Sequence, residues 1–297
     1  MQKQSSWLRA YILLAWLWGL SFLFIMVGLE SLTPIQVAFG RLFVGTLTLW
    51  ILVAAKRPSL AMSRAGLGHL FVLALLLNSV PGLLFAYAET FVSSILASIM
   101  NATTPLFGLL ATLTIFREQK PVRAQQIGLV VGFAGVLVVL GVWQGIGATT
   151  LQGIALCAVA VALYGISFPY GRRFLTPLKY SPISASAVQV GFGLAQLLPL
   201  MLIPQTFAPT TRSLVAVIAL GALASGLAYI LNFTIIAQAG AIVASTVTYW
   251  TPLVAVIAGV LILGESTHWY EPVGALIVLA GVMIAQQRWP FAGRTLR

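Results

Sequence analysis

Residues 8–29 read LRAYILLAWLWGLSFLFIMVGL, twenty-two positions with one charge, Arg9, near the start. An α-helix advances only about 1.5 Å per residue, so about 20 apolar residues are needed to cross the hydrocarbon core of a bilayer. This stretch has that length. It is too long and too rich in tryptophan for the apolar part of a cleaved signal. It also leads directly into further segments of the same kind, so it reads as a first membrane span.

Nine more segments of this character follow, at 35–55, 66–88, 91–115, 124–143, 149–170, 182–203, 212–236, 240–263 and 270–288. The breaks between them carry charges or turn formers, among them Lys56-Arg57-Pro58, Arg117-Glu118-Gln119-Lys120-Pro121, Gln144-Gly145, Arg172-Arg173 and Gln238-Ala239-Gly240. None is long enough to hold a soluble domain. The expected fold is an all-α membrane protein of ten transmembrane helices.

The composition agrees. Hydrophobic residues make up 60% of the 297 positions and charged residues 7%, against about 25% charged in soluble domains. The five acids are all glutamate: Glu30, Glu89, Glu118, Glu265 and Glu271. So few charges do not cover a soluble globule of this length, but they can fringe a bundle whose sides face lipid. The net charge of +11 lies in short breaks rather than on one face. That is how cytoplasmic loops are marked, so the expected partner is a lipid bilayer and not nucleic acid. With the N-terminus inside, fourteen Lys and Arg fall on the cytoplasmic side and only Arg212 outside, while Arg41 lies within the second span. Both termini are expected in the cytoplasm, which requires an even number of spans.

The two halves repeat. Trp18-Gly19-Leu20-Ser21-Phe22 matches Tyr164-Gly165-Ile166-Ser167-Phe168 at an offset of 146. Ala97-Ser98, Thr104-Pro105-Leu106 and Glu118 match Ala244-Ser245, Thr251-Pro252-Leu253 and Glu265 at an offset of 147. Ala134-Gly135-Val136 matches Ala280-Gly281-Val282 at 146. Several matches in order at nearly one offset are hard to obtain by chance. The expected halves are residues 1–146 and 147–297, each with five spans. An odd number of spans makes the repeats inverted, an architecture typical of secondary transporters. A duplication kept only for folding is the alternative.

The sequence at this point resembles the ten-span EamA-type branch of the drug/metabolite transporter superfamily. The resemblance runs from Ala86-Tyr87-Ala88 through Ala97 and Thr104-Pro105-Leu106 to Glu118. It recurs from Gly240-Ala241 through Ala244-Ser245 and Tyr249-Trp250-Thr251-Pro252-Leu253 to Leu263-Gly264-Glu265. Gly274-Ala275, Leu279-Ala280-Gly281-Val282, Trp18-Gly19 and the stretch from Pro34 to Arg41 also fit. The first copy departs from the pattern, with Phe116-Arg117-Glu118 where the family usually has Leu-Gly-Glu. The resemblance implies a bacterial cytoplasmic (inner) membrane exporter of small metabolites, often amino acids or related compounds. It implies a central cavity between the halves, and supplies no substrate.

Candidate site residues follow from chemistry that lipid does not tolerate. Pro105 and Pro252 lie inside the fourth and ninth spans, where proline removes a donor and kinks a helix; they serve either as hinges or as static packing kinks. Asn78, Asn101, Gln189 and Asn232 carry amides that either hold the bundle together or line a cavity. Ser21, Ser98, Thr104, Ser167, Ser245 and Thr248 are weaker signals, since hydroxyls can bond back to their own helix. Trp16, Trp18, Phe22, Tyr87, Tyr164, Phe168, Tyr170, Tyr229, Tyr249 and Trp250 are aromatics within spans or near their ends. The expected cavity set is Trp18, Ser21, Asn78, Tyr87, Asn101, Tyr164, Ser167, Asn232 and Tyr249. Such a set suits neutral, zwitterionic or amphipathic solutes, so neutral or aromatic amino acids head the expected substrates. Hydrophobic drugs are the alternative within the same fold, and a channel or lipid-moving protein the alternative outside it. Arg41 is either structural, snorkelling outward with Glu30 as partner, or functional.

The absences also inform. No carboxylate or histidine falls near a span centre, so transport without a dedicated proton site is expected, with Glu89 the nearest candidate for coupling. No phosphate-binding loop is present and no ATPase subunit is implied. His69 and His268 are too far apart to suggest a metal site, Cys157 is alone, and no catalytic residue or cofactor is expected. The pairs Gly128 with Gly132 and Gly141 with Gly145 read as close helix packing, within the chain or in a dimer.

Overall fold

The computed structural model describes residues 2–117, 122–145, 147–239, 244 and 246–285. Glu118, Ser245 and the start of the ninth segment at 240–243 lie outside the described residues. Helices account for nearly everything else, and no strand occurs among the described residues. Eight helical segments are long and apolar enough to cross a membrane: Trp7–Leu29, Pro34–Lys56, Arg64–Ala88, Ser94–Thr114, Arg123–Gln144, Thr150–Leu178, Pro182–Leu202 and Thr211–Gln238. Two shorter apolar ones follow, Val247–Leu263 and Tyr270–Ala285. Large apolar side chains such as Val130, Leu261 and Leu276 stand about two-thirds or more exposed around the outside. Water would penalise that surface, and lipid does not.

Local chemistry sets the helix ends. α1 (Gln2–Leu29) stops at a short turn, and α2 (Pro34–Lys56) begins with a capping box. There the Thr33 hydroxyl accepts from the Gln36 backbone and the Gln36 side chain accepts from the Thr33 N–H, while Pro34 occupies the first turn, where no donor is needed. At α3 (Arg64–Ala74) and α5 (Ser94–Asn101) the cap is one-way: the Ser63 hydroxyl accepts from the Gly66 N–H and the Ser93 hydroxyl from the Leu96 N–H.

Four spans are interrupted in mid-course, and the last of them, the ninth, also ends in a wide turn at Gly259–Leu263. The third passes through a wide turn at Leu75–Ser79 between α3 and α4 (Val80–Ala88). The eighth does so at Leu220–Leu227 between α10 (Thr211–Ala219) and α11 (Ala228–Ala239). These i→i+5 segments occupy matching places in the two halves, and nothing in the residue pattern announced them. The fourth breaks outright. α5 ends at Asn101, and α6 (Thr104–Thr114) starts with Pro105 in its first turn. Pro105 offers no donor to the Asn101 carbonyl, and the Thr104 hydroxyl donates to it instead, at 2.7 Å. The second copy repeats the device. Thr251 donates to the Thr248 carbonyl at 2.8 Å, and Pro252 opens α12 (Thr251–Ala258). The two prolines therefore mark breaks between helices rather than bends within one.

Helices of one half pack on helices of the other. α1 lies against α10, α11 and α12, while α4 and α6 lie against α8 (Ala148–Phe174). α2 packs on the Leu220–Leu227 turn and on α9 (Pro182–Leu197). The closest pairing joins α7 (Arg123–Val139) to α13 (Tyr270–Ala285). Here glycine meets backbone: a Cβ on Gly281 would sit 2.3 Å from the Gly132 nitrogen, and one on Gly128 2.3 Å from the Ala285 nitrogen. The Gly128–Gly132 pair thus packs within the chain. Gly141 and Gly145 do not form a packing stripe, contrary to expectation. They adopt φ of +53° and +78° in the turn after α7, where a left-handed backbone favours glycine.

The same backbone need makes the Phe116-Arg117-Glu118 departure costly, because the position where the second copy has glycine is left-handed in both copies. Gly264 holds φ +67°, and Arg117, 147 positions earlier, holds φ +48°. A left-handed residue with a Cβ costs about 1–2 kcal/mol. Arg117→Gly is therefore expected to raise stability by roughly 1 kcal/mol, read as a higher unfolding temperature in detergent. In the same measurement Gly281→Ala, which forces a Cβ into facing backbone, is expected to destabilise by about 1–3 kcal/mol. Gly68→Ala, with nothing within 4 Å, is not.

Candidate functional site

The breaks and wide turns surround the middle of the bundle. There α1 supplies Trp18, Ser21, Phe22 and Ile25, and α2 supplies Arg41. The Leu75–Ser79 turn supplies Leu77, α4 supplies Phe85, and the α5–α6 break supplies Asn101 and Thr104. Tyr164 and Phe168 come from α8, Tyr229 from α11, and Thr248 from the turn before α12. Together they enclose a small central cavity of about 50 Å³. A wider vestibule of about 440 Å³ adjoins it, bounded in part by Leu73, Ser167, Arg172, Lys179, Tyr180, Asn232 and Phe233. Leu77 and Phe168 line both. Ligand sites commonly fall between about 300 and 1,000 Å³, so the vestibule is of the size that admits a small organic molecule.

Rings form much of the central wall. Trp18 meets Tyr229 edge-on at 6.4 Å, Phe22 meets Phe85 edge-on at 5.4 Å, and Phe85 stacks on Tyr164 at 5.8 Å. The Tyr229 hydroxyl donates to the Leu77 carbonyl at 2.9 Å, within the wide turn of the third span. One full charge faces this cavity. Arg41 is 7% exposed, and its Nε donates to the Ser225 hydroxyl at 2.6 Å. The phenols of Tyr164 and Tyr229 lie beside the same guanidinium. Glu30, the partner considered for a structural Arg41, pairs instead with Arg212 at 3.3 Å on the exposed surface.

The other expected residues divide. Trp18, Ser21, Asn101 and Tyr164 line the central cavity, while Ser167 and Asn232 line the vestibule. Ser21 and Ser167, equivalent in the repeats, bond back to the Trp18 and Tyr164 carbonyls at 2.5 and 2.7 Å. The Asn232 side-chain oxygen is buried without a hydrogen-bond partner. Asn78 faces neither space: Gln189 donates to it at 2.6 Å, joining α9 to the third span. Tyr87 is half-buried and lines neither. Tyr249 packs instead against the apolar cluster of Leu106, Val278, Val282 and Ala285. Ile25, Leu77 and Phe85 line the central cavity without having been singled out from sequence. Ile, Leu and Phe are too common in spans to stand out, and only the three-dimensional crossing distinguishes these.

Glu89 lies just beyond the third span, where the sequence places it, yet it is 3% exposed. Neither of its carboxylate oxygens has a hydrogen-bond partner. Its neighbour Glu265 accepts from the Ser94 and Ile95 backbone N–H groups at 3.0 and 3.2 Å, tying the end of the second copy to the start of α5. Burial pushes the Glu89 carboxyl well above the ordinary value of 4.5, and the charge of Glu265 adds to this, while Arg41 opposes it. The Cys157 thiol is the other titratable group within its field. A folded-state carboxyl raised in this way favours the protonated fold. Its contribution to stability is therefore full below the unfolded pKa and falls as pH rises through the folded one. Glu89→Gln is expected to unfold at a higher temperature than the parent at pH 8, with the difference shrinking at pH 5.

Similarity to other proteins agrees with this layout. The model of the EamA-like transporter family matches twice, at residues 5–141 and 151–286. A protein of Archaeoglobus fulgidus named an uncharacterized transporter is 29% identical, over 96% of this chain and 98% of its own. The uncharacterized transporter YcxC of Bacillus subtilis is 25% identical, over 95% of this chain and 93% of its own. A solved crystal structure, 16% identical, shares the fold with a TM-score of 0.68 over 96% of this chain and 99% of that one. Matched along both halves, the chain belongs to the EamA-like transporter family.

Proposed function

We propose that this transporter carries a small organic solute by alternating access through the central cavity. In this reading it is a secondary exporter of metabolites such as neutral or aromatic amino acids. The two shorter apolar helices also span, giving ten spans in two inverted five-helix repeats, 1–146 and 147–297, with both termini in the cytoplasm of a bacterial inner membrane. The junction of the two cavities at Leu77 and Phe168 supports this most directly. The vestibule leaves the centre toward Arg172 and Lys179, at the end where the basic loops gather. On the other side Phe22, Ile25 and Phe85 close over the centre, and Glu265 joins the second copy to α5. One side open and the other packed is what a carrier halted at one stage of its cycle presents.

The solute's own gradient, or exchange for another solute, supplies the drive. Among the described residues, those around both cavities include no carboxylate and no histidine. Hydrophobic compounds are the second reading, favoured by the apolar vestibule wall of Leu70, Leu73, Leu175, Phe233 and Ile236.

Counterflow tests transport directly. Liposomes preloaded with an unlabelled neutral or aromatic amino acid are expected to accelerate uptake of the same labelled compound. Trp18→Ala and Tyr164→Ala are each expected to cut that acceleration about tenfold, by opening the ring wall. A non-saturable leak in place of acceleration would favour a channel. A solute-dependent proton flux lost in Glu89→Gln would overturn the gradient-driven reading.

A further inference from the structure

A guanidinium buried inside a membrane bundle is costly unless a counter-charge meets it. Arg41 has none at hand. Its neighbours are a serine hydroxyl and two phenols, all neutral. No ion pair joins it to a carboxylate among the described residues. Glu89 acts on it only through space and holds no hydrogen bond of its own. A Cβ on Gly82 would stand 4.0 Å from one terminal nitrogen of Arg41, so the helix opposite leaves that nitrogen room. The path to Arg41 carries the same sign of charge, since the vestibule wall holds Arg172 and Lys179 and no acid. Cationic walls of low dielectric concentrate anions.

We propose that Arg41 seats the carboxylate of the transported solute, and that the site takes aromatic or bulky apolar monocarboxylates whether or not they carry an amino group. This rests on the central cavity being the transport site. A planar guanidinium presents paired donors that match a carboxylate, and the match is charge-assisted. Around it Trp18, Phe22, Phe85 and Tyr229 present rings to an apolar body. No acid lines the cavity to pair with an ammonium group, so an amino group on the solute adds little. The vestibule and the centre then work in sequence: basic side chains draw the anion in, and Arg41 holds it among the rings.

The test uses the purified full chain and a series of phenyl compounds that differ only in charge. 3-Phenylpropanoate, phenylalanine, phenylalaninamide and phenethylamine are each measured for binding, by quenching of tryptophan fluorescence, and for counterflow in liposomes. Inorganic phosphate is included as a bare anion. The two carboxylates are expected to bind within about threefold of one another and at least about tenfold more tightly than the amide or the amine. Arg41→Gln is expected to erase that preference and Arg41→Lys to retain part of it; the parent protein's own ranking stands even where a variant does not fold. Amide or amine carried as well as the acids overturns the carboxylate seat and leaves transport intact. Acids that bind but show no counterflow leave the seat intact and overturn the transport reading. Phosphate binding as tightly as the phenyl acids, or no binding by any compound, overturns the proposal.

Discussion

A backbone carbonyl freed from its helix inside a bilayer has no water to turn to. That constraint organises this molecule. Helix is interrupted at the α5–α6 break, before α12, and at the wide turns of the third and eighth spans. In each copy, a threonine hydroxyl satisfies a carbonyl that proline leaves without its donor. In the third span Tyr229, from the other half, reaches across to Leu77. The interruptions come where neighbouring side chains can repair them, around the central cavity. The cavity is thus the place where irregular backbone is tolerated, and polar atoms gather there for the same reason.

The two halves complete each other rather than standing alone. α1 finds its partners in the second copy, and α8 finds α4 and α6 in the first. Equivalent residues nevertheless diverge where it matters chemically. Trp18 has Tyr164 as its counterpart, and Asn101 has Thr248, so the cavity has pseudo-symmetric positions with unequal side chains. Arg41 has Ala187 146 positions later and therefore no basic twin at that place. The charge in the cavity is one-sided, and its walls are chemically distinguishable.

Much of the architecture was legible because its signals are long. Ranges of some 20 apolar residues and a nearly constant offset survive noise, and the helices follow them closely. The site was only partly legible, because a one-dimensional pattern gives depth along a span but not which way a side chain turns. Asn78 and Asn101 looked alike in sequence. One bonds to Gln189 in the packed bundle, and the other sits at the helix break facing the cavity. The wide turns carry no residue signature, so Leu77 was invisible. Glu89 was placed at the end of the third span, yet its burial arises from segments distant in sequence, which bring Cys157 and Glu265 near it. Arg117 stands out in sequence as a departure from the family pattern, and its left-handed backbone shows why glycine suits that position better.

The glycine contact between α7 and α13 has a mechanical consequence. With no room for a Cβ at Gly128, Gly135, Gly274 and Gly281, the two backbones are too close to slide past one another without collision. They behave as one doubled beam. Each is the last helix described in its half, so the beam belongs equally to both. Any rocking of one half against the other must leave this beam stiff and take up its bending elsewhere, at the interrupted spans around the centre.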